Sequence, residues 1–161
     1  MQSQARTGGN DQTERIGVIE TTIDDATPEL MAYVADRLLA AGAFDVLRTP
    51  VLMKKGRAGT HLTVLCSPDR AESLQRLIFL ETTTLGLRYR EEIKRRLERS
   101  FVAVETPWGS VQVKLGLLDG EVVNYAAEFE DCRRLAEAHN IPLKQVMQTA
   151  VMAYLQKGER P

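Results

Sequence analysis

The sequence predicts an α+β fold, a ferredoxin-like split βαβ domain followed by a small β-meander and two C-terminal helices. Three observations predict it. Apolar residues alternate in short β-favouring stretches, they recur every three to four residues in longer ones, and the first half orders these as strand, helix, strand, strand, helix, strand.

Ile16, Val18 and Thr21 open the first strand, which ends at Asp24-Asp25. Thr27 can cap the next helix, Pro28 suits its first position and Glu29 complements the positive end of its dipole. Leu30, Val34 and Leu38, with Met31 and Ala35 alongside, form one apolar stripe as far as about Ala41, and Gly42 stops the helix. Phe44, Val46, Val51 and Leu52 make a strand interrupted by Pro50, and Leu62, Val64 and Cys66 make another. Between them, Lys54-Lys55-Gly56-Arg57-Ala58-Gly59 reads as a positive hairpin. Ser67-Pro68-Asp69 repeats the cap-proline-acid start, and Leu74, Leu77 and Ile78 carry the second helix until Thr82-Thr83-Thr84. Leu87, Tyr89, Ile93 and Leu97 then form the apolar side of a half-exposed strand.

The second half reads as strands around Phe101 to Glu105, Val111-Val113 and Val122-Val123, turning at Pro107-Trp108-Gly109 and Asp119-Gly120. A helix from about Glu128 to His139 turns Phe129, Cys132, Leu135 and Ala136 inward, and a last one runs from Pro142 to Gly158. The expected division is therefore a flexible leader over 1–15, a ferredoxin-like domain over 16–99, and meander plus helices over 100–161.

Composition narrows the function. With 161 residues, 27% charged and a formal net charge of −1, a compact core is available without staples, and a general polyanion-binding surface is not expected. Apolar runs fall far short of the ~20 residues of a membrane span. Two isolated cysteines and two isolated histidines suggest neither a disulfide framework nor a zinc site. A soluble, cytoplasmic chain with no nucleic-acid or membrane partner is expected. Walker, dinucleotide-binding, nucleophile-elbow and zincin motifs are absent from the sequence.

Charge is nevertheless separated locally. Arg48, Lys54, Lys55 and Arg57 fall in a stretch without acids, whereas Glu20, Asp24, Asp25 and Glu29 gather ahead of the first helix. Glu20, Asp24 and Asp25 could hold a hard divalent ion, though taken alone they read first as a carboxylate-capped turn. Lys54, Lys55 and Arg57 suit a polyphosphate or a solvated hairpin. Thr82, Thr83 and Thr84, with Gly86 and Arg88, offer donors for phosphate oxygens or a helix end satisfied by its own hydroxyls. Glu128, Glu130 and Asp131 match the dipole of the helix they begin.

The order and wording of these blocks resemble the C-terminal region of the LarC family of nickel insertion proteins. The resemblance rests on Glu20-Thr21-Thr22-Ile23-Asp24-Asp25 with Thr27-Pro28-Glu29-Leu30, on Thr49-Pro50-Val51-Leu52-Met53-Lys54-Lys55 with Arg57, and on Glu81-Thr82-Thr83-Thr84-Leu85-Gly86. Glu105-Thr106-Pro107-Trp108-Gly109 and Glu130-Asp131-Cys132-Arg133 extend it. It implies a CTP-dependent cyclometallase, a lyase that inserts nickel into pyridinium-3,5-bisthiocarboxylic acid mononucleotide with formation of carbon-nickel and sulfur-nickel bonds. It also implies CTP held with Mg or Mn, a homo-oligomer, and an N-terminal LarC region that supplies the nickel apparatus, so that this chain alone has partial activity. On that reading Asp24 and Asp25 organise metal and phosphate, Lys54, Lys55 and Arg57 neutralise phosphate, and Thr82, Thr83, Thr84 and Arg88 contact the nucleotide; no catalytic group is assigned. The sequence departs from the family pattern at Thr22, Ala26, Ala58, Ala127 and Phe129, where Asn, Met, Pro, Pro and Tyr are usual. The alternative is a non-enzymatic ferredoxin-like module for ligand sensing or oligomerisation.

Overall fold

The computed structural model describes residues 12–157. Two compact units divide them, Thr13–Lys94 and the residues from 95 onward. The fold is α+β throughout, with antiparallel pairing in both sheets and four α-helices among the described residues.

In the first unit, β1 (Gln12–Ile23), β2 (Asp45–Leu52), β3 (Ala58–Cys66) and β4 (Arg88–Arg96) form one sheet in the order β2-β3-β1-β4. That order is the ferredoxin-like one expected from the sequence. Helix α1 (Pro28–Ala40) begins where Thr27 Oγ1 accepts the Leu30 N–H at 3.2 Å. It ends in a left-handed Gly42 (φ 97°), with Gly42 and Ala43 donating back to the Leu39 and Leu38 carbonyls at 3.0 Å. Helix α2 (Ala71–Glu81) is preceded by a 3-10 turn over Pro68–Arg70. Ser67 was expected to cap it; its hydroxyl instead donates to the nearby Asp69 carboxylate, because the intervening turn separates it from the first α-helical amides. Ile19 and Ile23 of β1, Leu62 and Val64 of β3, Met31, Val34 and Leu38 of α1, and Leu74 and Ile78 of α2 make the core.

Several boundaries differ from the sequence reading. The strand begins at Gln12 rather than Ile16, so 12–15 are not part of a leader; the remainder of that expected leader, 1–11, lies outside the described residues. Polar residues hold this extension, with Lys94 Nζ 3.1 Å from Glu14 and Arg15 3.5 Å from Glu91, and such a strand has no hydrophobic period to read. Pro50 does not interrupt β2, because β2 is an edge strand and Pro50 needs no outward partner. β4 is exposed along its whole length rather than on one side. It too is an edge, and its Tyr89 lies over Gly17, where an added Cβ would stand 3.0 Å from the ring.

In the second unit β5 (Glu98–Thr106), β6 (Gly109–Leu118) and β7 (Glu121–Ala127) form the meander. The β6–β7 hairpin turns on Asp119 (φ 53°) and Gly120 (φ 86°), both left-handed as a two-residue primed turn requires. Helices α3 (Phe129–His139) and α4 (Leu143–Gln156) bury Cys132, Leu135, Val146, Ala150 and Tyr154 against Val104, Val111 and Val113. Phe129 is 51% exposed and is not an inward residue, since Cys132, Leu135 and Ala136 define the buried side. α4 ends at Gln156; the expected stop at Gly158 lies outside the described residues.

Candidate functional site

Asp24 and Asp25 follow the carboxyl-terminal end of β1, and the fold brings two other segments to them. The first is the β2–β3 hairpin. Its turn is a 3-10 segment over Lys54–Gly56, closed by Met53 N–H donating to the Arg57 carbonyl at 2.8 Å. Lys55 sits at φ 64° and Gly56 at φ 70°; for a lysine that left-handed conformation costs roughly 1 kcal/mol or more. From the far side of the turn Arg57 Nη1 donates to Asp24 Oδ2 at 3.1 Å. Gly59 allows the approach: a Cβ there would lie 2.8 Å from the Ile23 carbonyl oxygen and 3.4 Å from Asp24 Cα.

The second segment is the threonine loop after α2. Thr82 Oγ1 donates to the Ile78 carbonyl at 2.7 Å and accepts the Thr84 N–H at 3.3 Å, so this side chain closes the helix. Thr21 and Thr84 hydroxyls lie 2.6 Å apart, and reach the Gly86 carbonyl at 2.9 and 2.8 Å. Two hydroxyl protons thus serve three contacts, which ties the loop to β1 through the buried Thr21. Thr83 is the outward member and donates to Asp25 Oδ1.

The expected site residues therefore divide. Asp24, Asp25, Arg57 and Thr83 are joined by direct bonds, whereas Thr82 and Thr84 spend their hydroxyls inside the loop. Lys54, Lys55 and Arg88 are exposed, and no carboxylate pairs with them among the described residues. Arg88 starts β4, whose ion pairs run antiparallel to β1, Lys94 with Glu14 and Arg90 with Glu20, so Arg88 lies toward the Thr22–Asp24 end.

A further cluster was invisible in the sequence because its members lie far apart along the chain. Arg90 reaches Glu20 at 2.7 and 3.4 Å, His61 Nε2 stands 3.6 Å from Glu20, and His61 Nδ1 is 3.1 Å from Thr22 Oγ1. The Arg90 hydrogen bond holds the Glu20 carboxyl below its ordinary pKa, and His61 adds to the effect. Thr22, where the family pattern has Asn, is thus occupied by His61. Burial pushes the Cys66 and Cys132 thiols up in pKa, consistent with inert core residues.

Asp24 and Asp25 offer only oxygen donors, which suits Mg or Mn rather than nickel. No group of three or more His, Cys, Asp or Glu comes together among the described residues. In chemical type the donor set fits a hard ion.

Comparison with known proteins decides the family. The family profile described as nickel insertion protein matches residues 3–147. The chain belongs to the nickel insertion protein family. A Myxococcus xanthus relative named for nickel insertion is 49% identical over 140 residues, covering 87% of this chain and 36% of its own length. This chain therefore spans about a third of that relative. Among solved structures, the C-terminal domain LarC2, from a cyclometallase involved in synthesis of the NPN cofactor of lactate racemase, superposes with a TM-score of 0.84 at 40% identity. The match covers 89% of this chain and 99% of LarC2. A Methanopyrus kandleri protein of 26% identity follows at a TM-score of 0.65, covering 90% and 92%. The nickel insertion family and the LarC2 fold, first suggested by short ordered motifs, thus stand on nearly the whole chain. Among the described residues no helix is long and apolar enough to cross a membrane.

Proposed function

We propose that this chain is the CTP-binding C-terminal part of a cyclometallase that inserts nickel into pyridinium-3,5-bisthiocarboxylic acid mononucleotide. The observation that carries the proposal is the meeting of Asp24, Asp25, Arg57 and Thr83, beside Lys54 and Lys55, which pair with no carboxylate among the described residues, in a member of the nickel insertion family. A triphosphate with its divalent ion needs oxygen donors for the metal and cations for the remaining phosphate charge, and this end of the sheet supplies both.

In this reading Asp24 and Asp25 orient Mg or Mn, Lys54 and Lys55 supply point charge to the phosphates, and Arg57 moves between Asp24 and a phosphate oxygen. Arg88 and the Thr83 hydroxyl add outer contacts. Thr82 and Thr84 act indirectly by holding the loop that carries Thr83. The bound ion supplies charge neutralisation and geometry for the triphosphate. Nickel is the cargo, delivered with the N-terminal LarC region, so the chain alone has partial activity; the working protein is a cytoplasmic homo-oligomer.

Calorimetry with CTP, UTP, ATP and GTP, each with Mg or Mn, tests the proposal. Saturable CTP binding that requires the divalent ion is the expected result. Indifference to all four nucleotides would overturn it in favour of a non-enzymatic module.

A further inference from the structure

Beside the charged end of β1 lies an open depression of ≈ 460 Å³, lined by Pro28, Met31, Pro50, Ala58, Thr60 and Arg48 among others. Its volume is that of a small-molecule site, and an apolar lining with a few polar groups is the usual make-up of one. Arg48 is the one charged residue of the lining. The strand register explains its presence: Arg48 of β2 stands opposite Leu62 of β3, so it shares the sheet face on which Leu62 is fully buried. Arg48 itself is exposed and has no ion-pair partner among the described residues, so its guanidinium is available at the rim of the depression. An inward charge on an edge strand can simply deter edge-to-edge pairing. That role asks only for a charge reaching water, and does not account for the hollow between prolines beside which this one stands.

We infer that this depression receives the base of the nucleotide and that Arg48 is the specificity-determining residue that reads its edge. The inference rests on the nucleotide reading above. Position supports it: Gly59 belongs to the lining and also touches Ile23 and Asp24, while Ala58 follows Arg57 directly. A ligand whose divalent ion lies on Asp24 and Asp25 and whose phosphates lie on the hairpin cations therefore has the apolar depression next to it for its base. The chemistry of the fork selects which base. Two parallel guanidinium N–H donors match two adjacent acceptors, as cytosine presents at O2 and N3. Uracil carries a hydrogen at N3 and sets donor against donor. Pro28 and Pro50 offer flat apolar surface to either ring, so discrimination falls to Arg48.

The test is calorimetry of CTP, UTP and inorganic triphosphate, each with Mg, on the full chain and on Arg48→Ala and Arg48→Lys. A bidentate base contact of this kind discriminates by about tenfold or more. The unaltered chain is expected to prefer CTP over UTP by that factor, both variants to fall to near parity, and inorganic triphosphate to bind all three alike. The lysine variant retains charge without the fork, and far-UV circular dichroism establishes that both variants are folded. A CTP preference that survives in Arg48→Ala overturns the inference and leaves nucleotide binding intact. Loss of inorganic triphosphate binding together with CTP makes Arg48 a phosphate ligand, and equally overturns it. Failure of the unaltered chain to bind any nucleotide overturns both the inference and the function it rests on.

Discussion

Each unit has a cluster of acids ahead of a helix, and the fold treats the two clusters differently. In the second unit the carboxylates at the start of α3 are taken up by partners from β6 and from α3 itself. Lys114 is 2.9 Å from Glu128, Arg133 2.6 Å from Glu130, and Asp131 accepts the Gln112 N–H at 3.0 Å while meeting Arg134 at 3.5 Å. In the first unit Asp24 and Asp25 face Arg57 from the hairpin and Thr83 from the threonine loop, and Lys54 and Lys55, close to Arg57 in sequence, pair with no carboxylate among the described residues. Acids by a helix start are thus no signal by themselves. What distinguishes the two is the cations beside them: Lys114, Arg133 and Arg134 are paired with carboxylates, whereas Lys54 and Lys55 have none among the described residues.

The largest expected effect tests the packing that presents the first cluster. Leu74 is fully buried in α2, and Leu74→Ala should destabilise the first unit by roughly 2–5 kcal/mol in urea denaturation. A smaller step isolates the hairpin. Gly59→Ala places a methyl 2.8 Å from the Ile23 carbonyl, backbone that cannot move aside cheaply, and should cost roughly 1–3 kcal/mol while weakening CTP binding. Asp131→Ala gives the contrast in the second unit. It removes a bond to the Gln112 amide and a carboxylate from the first turn of α3, for a loss of about 1 kcal/mol by urea denaturation and no change in nucleotide affinity.

The smallest effect is in pH. Glu20 has its pKa lowered by Arg90 and His61, so its contribution to stability is full above the ordinary glutamate range and disappears as pH falls through the depressed value. Urea midpoints followed from pH 5 to pH 3 should fall less steeply in Glu20→Gln than in the unaltered chain.

Much of the fold could be read along the chain because its causes are local. The Thr27 cap, the Gly42 stop, the Asp119-Gly120 turn and the buried stripe of α1 are each fixed within a few residues. The polar start of β1 and the exposure of β4 were not legible. Both depend on which strands form the sheet's edges and which cross-strand ions pair, and neither leaves a hydrophobic period. The site divides in the same way. The residue types of Asp24, Asp25, Arg57 and Thr83 stood out in sequence, but their bonds span 33 and 58 positions. Arg48 gave no signal beyond its sign; only the β2–β3 register sets it on the sheet face of Leu62, at an exposed edge position. Of the threonine run, Thr82 and Thr84 follow the helix-end reading, while Thr83 turns outward and donates to Asp25.

The contrast between the two acidic clusters is tested most directly by calorimetry of CTP with Mg on the full chain, its Lys54→Ala/Lys55→Ala double variant and Arg133→Ala. The double variant is expected to lose about tenfold or more in affinity, since each lysine acts on phosphate as a point charge. Arg133→Ala should bind as the unaltered chain does. Equal affinity in all three proteins, or a loss confined to Arg133→Ala, would contradict the placement of the nucleotide on the first unit.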